Sequence, residues 1–354
     1  MRYPDMKRSL LFGLTLLAVG LLPAWLVQAE PYKDRPGAFQ VETYTEDWHD
    51  DERDRTVPIR VYLPTDAEGP RPVVLLSHGL GGTRDALSYL GRHWASYGYI
   101  CVAMQHPGTD DSVWRDERPA ERMRAMRRAA RQWSPALERA NDVPFVLDVL
   151  TTLAEHEDSP LHGRLDLEHI AIAGHSFGAW TAMAHAGQGM GARSRTTMRD
   201  ERIDIAIALS SPVPRNPRNY DASFESVAVP VLHITGTLDE SPVNDTTAEQ
   251  RRVPYEHTPG RDDGGSAQYL IVFEGGDHMV LAGPGFHGEP NPLNRLRQRD
   301  GVDTDRDPLI HGLILQAGTA FLDGWLLGDE EALRWLDEGV LEDTIGDEGV
   351  VESK

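Results

Sequence analysis

The chain has 354 residues, 40% of them hydrophobic, and a formal net charge of −21. That length and apolar content suffice for one large core, while the acidic balance excludes a phosphate backbone as a partner, because like charges repel. A lone cysteine, Cys101, excludes an intramolecular disulfide. Lying in the apolar stretch from Tyr99 to Met104, it reads as a packed strand residue and not as a thiol nucleophile.

In chain order, the N-terminus reads as a processing segment. Arg2, Lys7 and Arg8 precede an apolar run from Leu10 to Val27, and Val27-Gln28-Ala29 has the small-residue form of a cleavage site. The run approaches membrane-spanning length, so an uncleaved anchor is the alternative; Pro23 and the cleavage pattern favour removal of residues 1–29. Residues 30–354 are then expected to form a single domain, secreted or periplasmic, with no stable membrane span after processing. Only Lys7, Lys33 and Lys354 among the basic residues are lysine. An acidic, lysine-poor surface suits a salty medium, where self-repulsion is screened.

Strands are expected over 39–45 and 57–63, the second alternating Val57, Ile59, Val61, Leu63. Val73-Val74-Leu75-Leu76 is continuously apolar, as in a strand buried on both faces. It runs into Ser77-His78-Gly79-Leu80-Gly81-Gly82, then a helix over about 84–97 and a further strand over 99–104. Residues 109–135 form an arginine-rich excursion over the strand ends, read as a solvated helix paired with carboxylates. A long helix with Val143, Val146, Leu147 and Leu150 on one face follows.

Ile170 to Trp180 reads as buried strand, sharp turn and helix start, with Gly174 and Gly178 two residues either side of Ser176. This is the G-x-S-x-G elbow in its structural context, a turn that lifts a serine hydroxyl clear of the sheet edge. Later strands are expected over 203–209, 229–234 and 269–273, with 212–223 as loop. Asp307 at a cap and Pro308 behind it open a helix to about Leu327. A short helix begins at Leu333, and the tail after Glu342 is expected to be loose. The pattern predicts an α/β fold: a mostly parallel eight-stranded sheet with helices on both faces.

A serine hydroxyl needs a positioned base. In this architecture the partners follow in the order Ser, acid, His, on loops leaving later strands. His278 lies just past the last expected strand in Glu274-Gly275-Gly276-Asp277-His278, and Asp239 directly follows the strand before it. Ser176, Asp239 and His278 are therefore the expected catalytic residues, with His106 the rival base. His78 and His175 are read as shaping the site, and His233 as packing. Leu80 and Phe177 are the expected backbone N–H donors of an oxyanion hole. Asp303, Asp305 and Asp307 resemble the start of a calcium loop but lack its glycine and distal glutamate; helix capping is the default reading, and no metal or other cofactor is expected.

With those residues in view, Ser77 to Gly82, Ala95-Ser96-Tyr97-Gly98-Tyr99, Gln105-His106-Pro107-Gly108 and Gly174 to Gly178 resemble the α/β-hydrolase branch of platelet-activating-factor acetylhydrolases and dienelactone-hydrolase-like proteins. Val231 to Pro242, Gly276 to Met279 and Ala320 to Leu326 are similar as well. The resemblance implies a serine hydrolase, without a metal, of esters with short or oxidised acyl groups, its substrate a small-molecule ester or lipid. Dienelactone hydrolases carry cysteine at the elbow, where this chain has Ser176. A lipase-, cutinase- or polyester-hydrolase-like esterase is the alternative, and a non-catalytic hydrolase-fold binding protein the reading from another class. The leader is tested by intact-mass analysis of exported protein: Glu30 is expected as the first residue, and a membrane-retained full-length species would establish the anchor instead.

Overall fold

The computed structural model describes residues 32–190, 197–284 and 303–354; the expected leader and its cleavage site lie outside the described residues. Among the described residues nine strands form one sheet: β1 Val41–Asp50, β2 Arg55–Pro64, β3 Arg71–Ser77, β4 Ile100–Met104, β5 Leu165–His175, β6 Ile205–Leu209, β7 Val231–Leu238, β8 Gln268–Asp277 and β9 Gly349–Ser353. Their order is β1-β2-β4-β3-β5-β6-β7-β8-β9. The strands from β4 through β8 in that order run parallel, while β1, β2 and β9 are antiparallel to their neighbours. This is the α/β-hydrolase architecture the sequence predicts.

The helices are α1 Ser88–Ser96, α2 Arg122–Ala129, α3 Trp133–Glu155, α4 Phe177–Ala186, α5 Tyr220–Phe224, α6 Val253–His257, α7 Asp307–Leu326, α8 Glu330–Asp337 and α9 Val340–Ile345. Alternation along the central strands feeds two cores. Val74 and Leu76 of β3 pack with α1, α7, α8 and α9 on one face, through Leu90, Trp94, Phe321, Leu336 and Leu341. Val73 and Leu75 pack with α3, α4 and α5 on the other, through Val143, Leu147, Ala182 and Phe224. Successive side chains of a strand point to opposite faces, so an apolar run without alternation is what a sheet covered on both sides requires.

Several expectations are corrected. The sheet has nine strands and not eight, because the tail expected to be loose pairs antiparallel with β8, from Phe273↔Gly349 to Tyr269↔Ser353. That pairing covers the edge strand that leads to His278. The helix expected from 84 begins at Ser88, because Leu87 takes a left-handed φ of 58° and stops any earlier start. The loop over 212–223 contains a helical turn, α5, whose Phe224 is buried. Asp307 is the first residue of α7 and Arg306 stands at the cap, since a 3-10 turn, Thr304–Arg306, leads directly into the helix. Asp303 does the capping instead, its Oδ1 accepting from the Asp305 N–H at 3.1 Å. The described residues fall within one compact unit, and among them no helix is long and apolar enough to cross a membrane.

The topology fixes where a site can lie. Chain connections leave β3 toward β4 on one side and β5 toward β6 on the other, so the sheet reverses its winding between β3 and β5. A crevice opens at such a switch point, outside the carboxyl ends of the strands. In register, Ser77 stands beside Gly174, so the loops carrying Leu80 and Ser176 leave the sheet side by side.

Candidate active site

Ser176 joins β5 to α4 with φ 55° and ψ −114°, a conformation that costs a non-glycine residue of order 1–3 kcal/mol and is held by its surroundings. A Cβ on Gly174 would lie 2.2 Å from the Gly178 carbonyl, and one on Gly178 would lie 1.8 Å from the Ser77 carbonyl oxygen. Both positions therefore require glycine, and the elbow helix sits directly on the end of β3. The Ser176 N–H donates to the Leu209 carbonyl at 2.8 Å, tying the turn to β6.

The structure brings the three expected side chains together. Ser176 Oγ is 3.0 Å from His278 Nε2, and His278 Nδ1 is 2.7 Å from Asp239 Oδ1. Each follows the carboxyl end of its strand, β5, β8 and β7 respectively. Asp277 shapes the histidine loop, its Oδ1 accepting from the Met279 and Val280 N–H groups at 2.9 and 2.7 Å. Asp239 is fully buried; its Oδ2 accepts from Ser210 Oγ at 2.6 Å and Thr235 Oγ1 at 2.8 Å. Burial alone pushes this carboxyl up, but the Arg251 and His278 charges and the bonds from His278 and Ser210 outweigh it and hold it well below the usual carboxylate range. A carboxylate at Oδ1 assigns the proton to Nδ1, which leaves the Nε2 lone pair facing the Ser176 hydroxyl.

Arg251, Ser210 and Thr235 were not foreseen from the sequence. Arg251 is buried, with Nη1 donating to the Ser210 carbonyl at 2.8 Å and Nε 3.5 Å from Asp239 Oδ1. Its Nη2 lies 3.4 Å from His278 Nδ1; that nitrogen already gives its proton to Asp239, so the contact is proximity and not a hydrogen bond. Nothing local marks Arg251, which stands in a polar stretch between the half-buried Gln250 and Arg252.

His106, the rival base, lies elsewhere. It is fully buried, with Nε2 3.0 Å from Ser77 Oγ and Nδ1 2.9 Å from Asp142 Oδ2. His175 also supports the site instead of acting in it, its Nε2 bonding the His278 carbonyl at 2.9 Å. Burial, helped by neighbouring positive groups, drives His175 and His78 far below the ordinary histidine value, and drives His106 down to about 4. His233 packs in the core, bonded to Gln268 Oε1 at 3.2 Å.

A cleft of about 400 Å³ opens over Ser176, lined by Leu80, Phe177, Trp133, Trp180, Val213 and Val243 among others. Leu80 also packs with Trp114, Met126, Ala129, Met279 and Ala282, so the arginine-rich excursion lies against both the Leu80 loop and the His278 loop. Its arginines do pair with carboxylates, Arg124 with Glu121 and Arg128 with Glu117. The residues just past α2, Ala130, Arg131 and Gln132, line the cleft, however, so this excursion is one wall of it as well as a solvated surface.

A mostly apolar crevice at the switch point of a doubly wound sheet, floored by a strained serine with an imidazole and a buried carboxylate behind it, is the arrangement of an α/β-hydrolase. The family model of platelet-activating factor acetylhydrolase, isoform II, matches residues 54–133, the stretch from β2 through the Leu80 loop to α2. The platelet-activating factor acetylhydrolase of Cavia porcellus is 28% identical over 43% of this chain and 38% of its own length. That of Bos taurus is 28% identical over 40% and 35%. Cutinase est1 of Thermobifida alba is 25% identical over 47% and 42%. Each match spans less than half of the relative's length. The chain has the α/β-hydrolase fold and is similar to the platelet-activating factor acetylhydrolases.

The charge pairing behind His278 gives a stability prediction. A carboxyl held low in the folded state contributes stability that is present above its unfolded value and lost as pH falls toward its folded one. Arg251→Met leaves Asp239 buried without its cation. The variant should be less stable than wild type at pH 7 by roughly 3–5 kcal/mol in urea unfolding, with the gap narrowing as pH drops through the carboxylate range. Equal stability at pH 7 would contradict this account of Asp239.

Proposed function

We propose that the protein hydrolyses carboxylic esters through an acyl-enzyme on Ser176. The observation that carries this reading is the hydrogen-bonded row Ser176 Oγ, His278, Asp239 at the floor of an open cleft. Ser176 Oγ attacks the ester carbonyl carbon as its proton passes to His278 Nε2. The tetrahedral oxyanion is met by the N–H groups of Leu80 and Phe177. As it collapses, the bond to the alcohol oxygen breaks and His278 returns the proton to that oxygen. Water then attacks the acyl carbon, giving a proton to His278; as this second intermediate collapses, the bond to Ser176 Oγ breaks, His278 returns the proton to that oxygen and the carboxylic acid leaves. Every bond and proton is handled by these side chains and by water. Asp239 stays ionised throughout and steadies the imidazolium.

A cleft of about 400 Å³ walled by Leu80, Phe177 and Val243 suits short acyl groups, acetyl-type esters foremost. The similarity to platelet-activating factor acetylhydrolases supports the same reading. A second reading rests on the cleft's open side, where Trp133 and Trp180 continue into a further depression of about 290 Å³; with the likeness to a cutinase, this favours longer or polymeric esters. Activity that falls steeply with acyl length across p-nitrophenyl esters supports the first, and retained activity on long chains or a solid polyester supports the second. The residue 1–29 pattern supports action outside the cytoplasm.

The pH dependence follows from which imidazoles can change charge. His78, His175 and His106 are kept neutral by burial, and the mechanism requires a neutral His278, because only an imidazole with a free Nε2 lone pair accepts the Ser176 proton. Activity should rise with pH through one ionisation, its acid limb. His278→Ala should remove that limb together with most of kcat, and Ser176→Ala should lower kcat by on the order of 10³–10⁶ with the fold retained. His106→Ala should keep the limb. A limb lost with His106 and kept without His278 would overturn the assignment.

A further inference from the structure

Beside the Ser176 row runs a second buried one, with the same residue types and a different purpose. Asp142 Oδ1 accepts from Arg53 Nη1 and Arg55 Nε at 2.9 and 2.7 Å, and its Oδ2 from Arg55 Nη2 at 2.8 Å. Burial pushes this carboxyl up, but Arg55 and His106 overcome it and bring it down to about 2, so it is a carboxylate and His106 Nδ1 must donate to it. His106 Nε2 is then a bare acceptor, taking the Ser77 hydroxyl proton at 3.0 Å. Ser77 Oγ in turn accepts from Arg139 Nη2 at 2.8 Å. Arg139 is completely buried. It also donates to the His78 carbonyl, to Thr181 Oγ1 at 2.7 Å and to Thr109 Oγ1 at 3.1 Å, and its guanidinium lies 5.0 Å from the centre of the Phe177 ring. Burial lowers it to about 9, which leaves it charged at neutral pH.

The row ends on one peptide unit. The His106 backbone N–H donates to His78 Nε2 at 3.1 Å. That fixes the His78 tautomer: Nε2 accepts, so Nδ1 carries the proton, and it donates to the Gly79 carbonyl at 2.6 Å. The same carbonyl accepts from the Gly82 N–H at 3.0 Å. A trans peptide points its N–H opposite to its C=O, so holding the Gly79 carbonyl from behind aims the Leu80 N–H the other way. A Cβ on Gly79 would lie 3.4 Å from Ser176 Cβ, so this peptide stands against the nucleophile. Two bonds to its carbonyl also polarise the peptide and strengthen its N–H as a donor.

We infer that His78, with its tautomer set by the His106 backbone N–H and its own carbonyl held by Arg139 at the end of the Asp142–His106–Ser77–Arg139 row, is the positioning residue of the oxyanion hole, aiming and polarising the Leu80 N–H. This rests on the proposed ester hydrolysis at Ser176. His78 touches no reacting atom. It stays neutral, because burial together with Arg139 and His106 opposes its protonation, so its role adds no step to the pH profile. The second serine, Ser77, is fully buried and bonded on both sides, which makes it a link in the row and not a second nucleophile.

The test uses three variants at one site. His78→Asn keeps an N–H donor near the position of Nδ1, His78→Gln fills the ring's space with an acceptor near Nε2 but no donor to Gly79, and His78→Ala has neither. For each, kcat and KM on a p-nitrophenyl ester and the affinity of a trifluoromethyl ketone, which forms a tetrahedral oxyanion on serine, are measured per folded molecule. In Ala and Gln, kcat should fall by about 10- to 100-fold, short of the loss of a whole donor, with KM within about twofold and ketone affinity falling in step with kcat/KM. His78→Asn should recover most of both, and the acid limb of the pH profile should be the same in all. If Ala alone fails to fold, the Asn–Gln contrast still decides. Ketone affinity and kcat unchanged in Gln, or lost equally in Asn and Gln, would overturn the inference. An active Ser176→Ala protein would instead sink the ester-hydrolysis reading on which it rests.

Discussion

The active end of this molecule depends on a contact between two backbones. Gly178 approaches the Ser77 carbonyl so closely that a single methyl group would stand 1.8 Å from its oxygen. That contact presses the start of α4 onto the end of β3. It places Ser176 beside the Leu80 loop, and it makes the unfavourable φ of Ser176 the only way to join strand to helix. The strain is local, but what maintains it is the packing of two cores on the faces of a nine-stranded sheet.

Around this contact the protein buries charge in an ordered way. Asp239 and Asp142 are both inside, and each is kept ionised by arginine: Arg251 behind the first, Arg53 and Arg55 around the second. Desolvation would neutralise either carboxyl if it stood alone. Each carboxylate sets the tautomer of one imidazole. His278 thereby presents a lone pair to Ser176, and His106 presents one to Ser77. The two rows differ in what lies beyond them. The first opens on a cleft, and the second closes on the peptide that precedes Leu80.

Much of this was legible in the sequence because it is carried by local pattern. The elbow announces itself through glycine spacing after an apolar strand, and His278 and Asp239 through their places just past strand ends. The tertiary devices were not legible. Arg139 left one trace, a charge four residues before Val143 on the face that otherwise buries Val143, Val146 and Leu150, and such a residue is buried only where partners wait for it. Arg251 left none, since its partners come from β6, β7 and the His278 loop. The strand β9 is five residues long with a glutamate within it; only its pairing with β8, some eighty residues earlier in the chain, makes it a strand.

The central claim is that Ser176 is the nucleophile. It is tested most directly by exposing the folded protein to a fluorophosphonate ester and locating the adduct by peptide mass spectrometry. One phosphonyl group on Ser176, its formation slowed by a competing short-chain ester, is the predicted result. An adduct on Ser77, the other serine with an imidazole at 3.0 Å, or no adduct in a folded sample, would contradict the account.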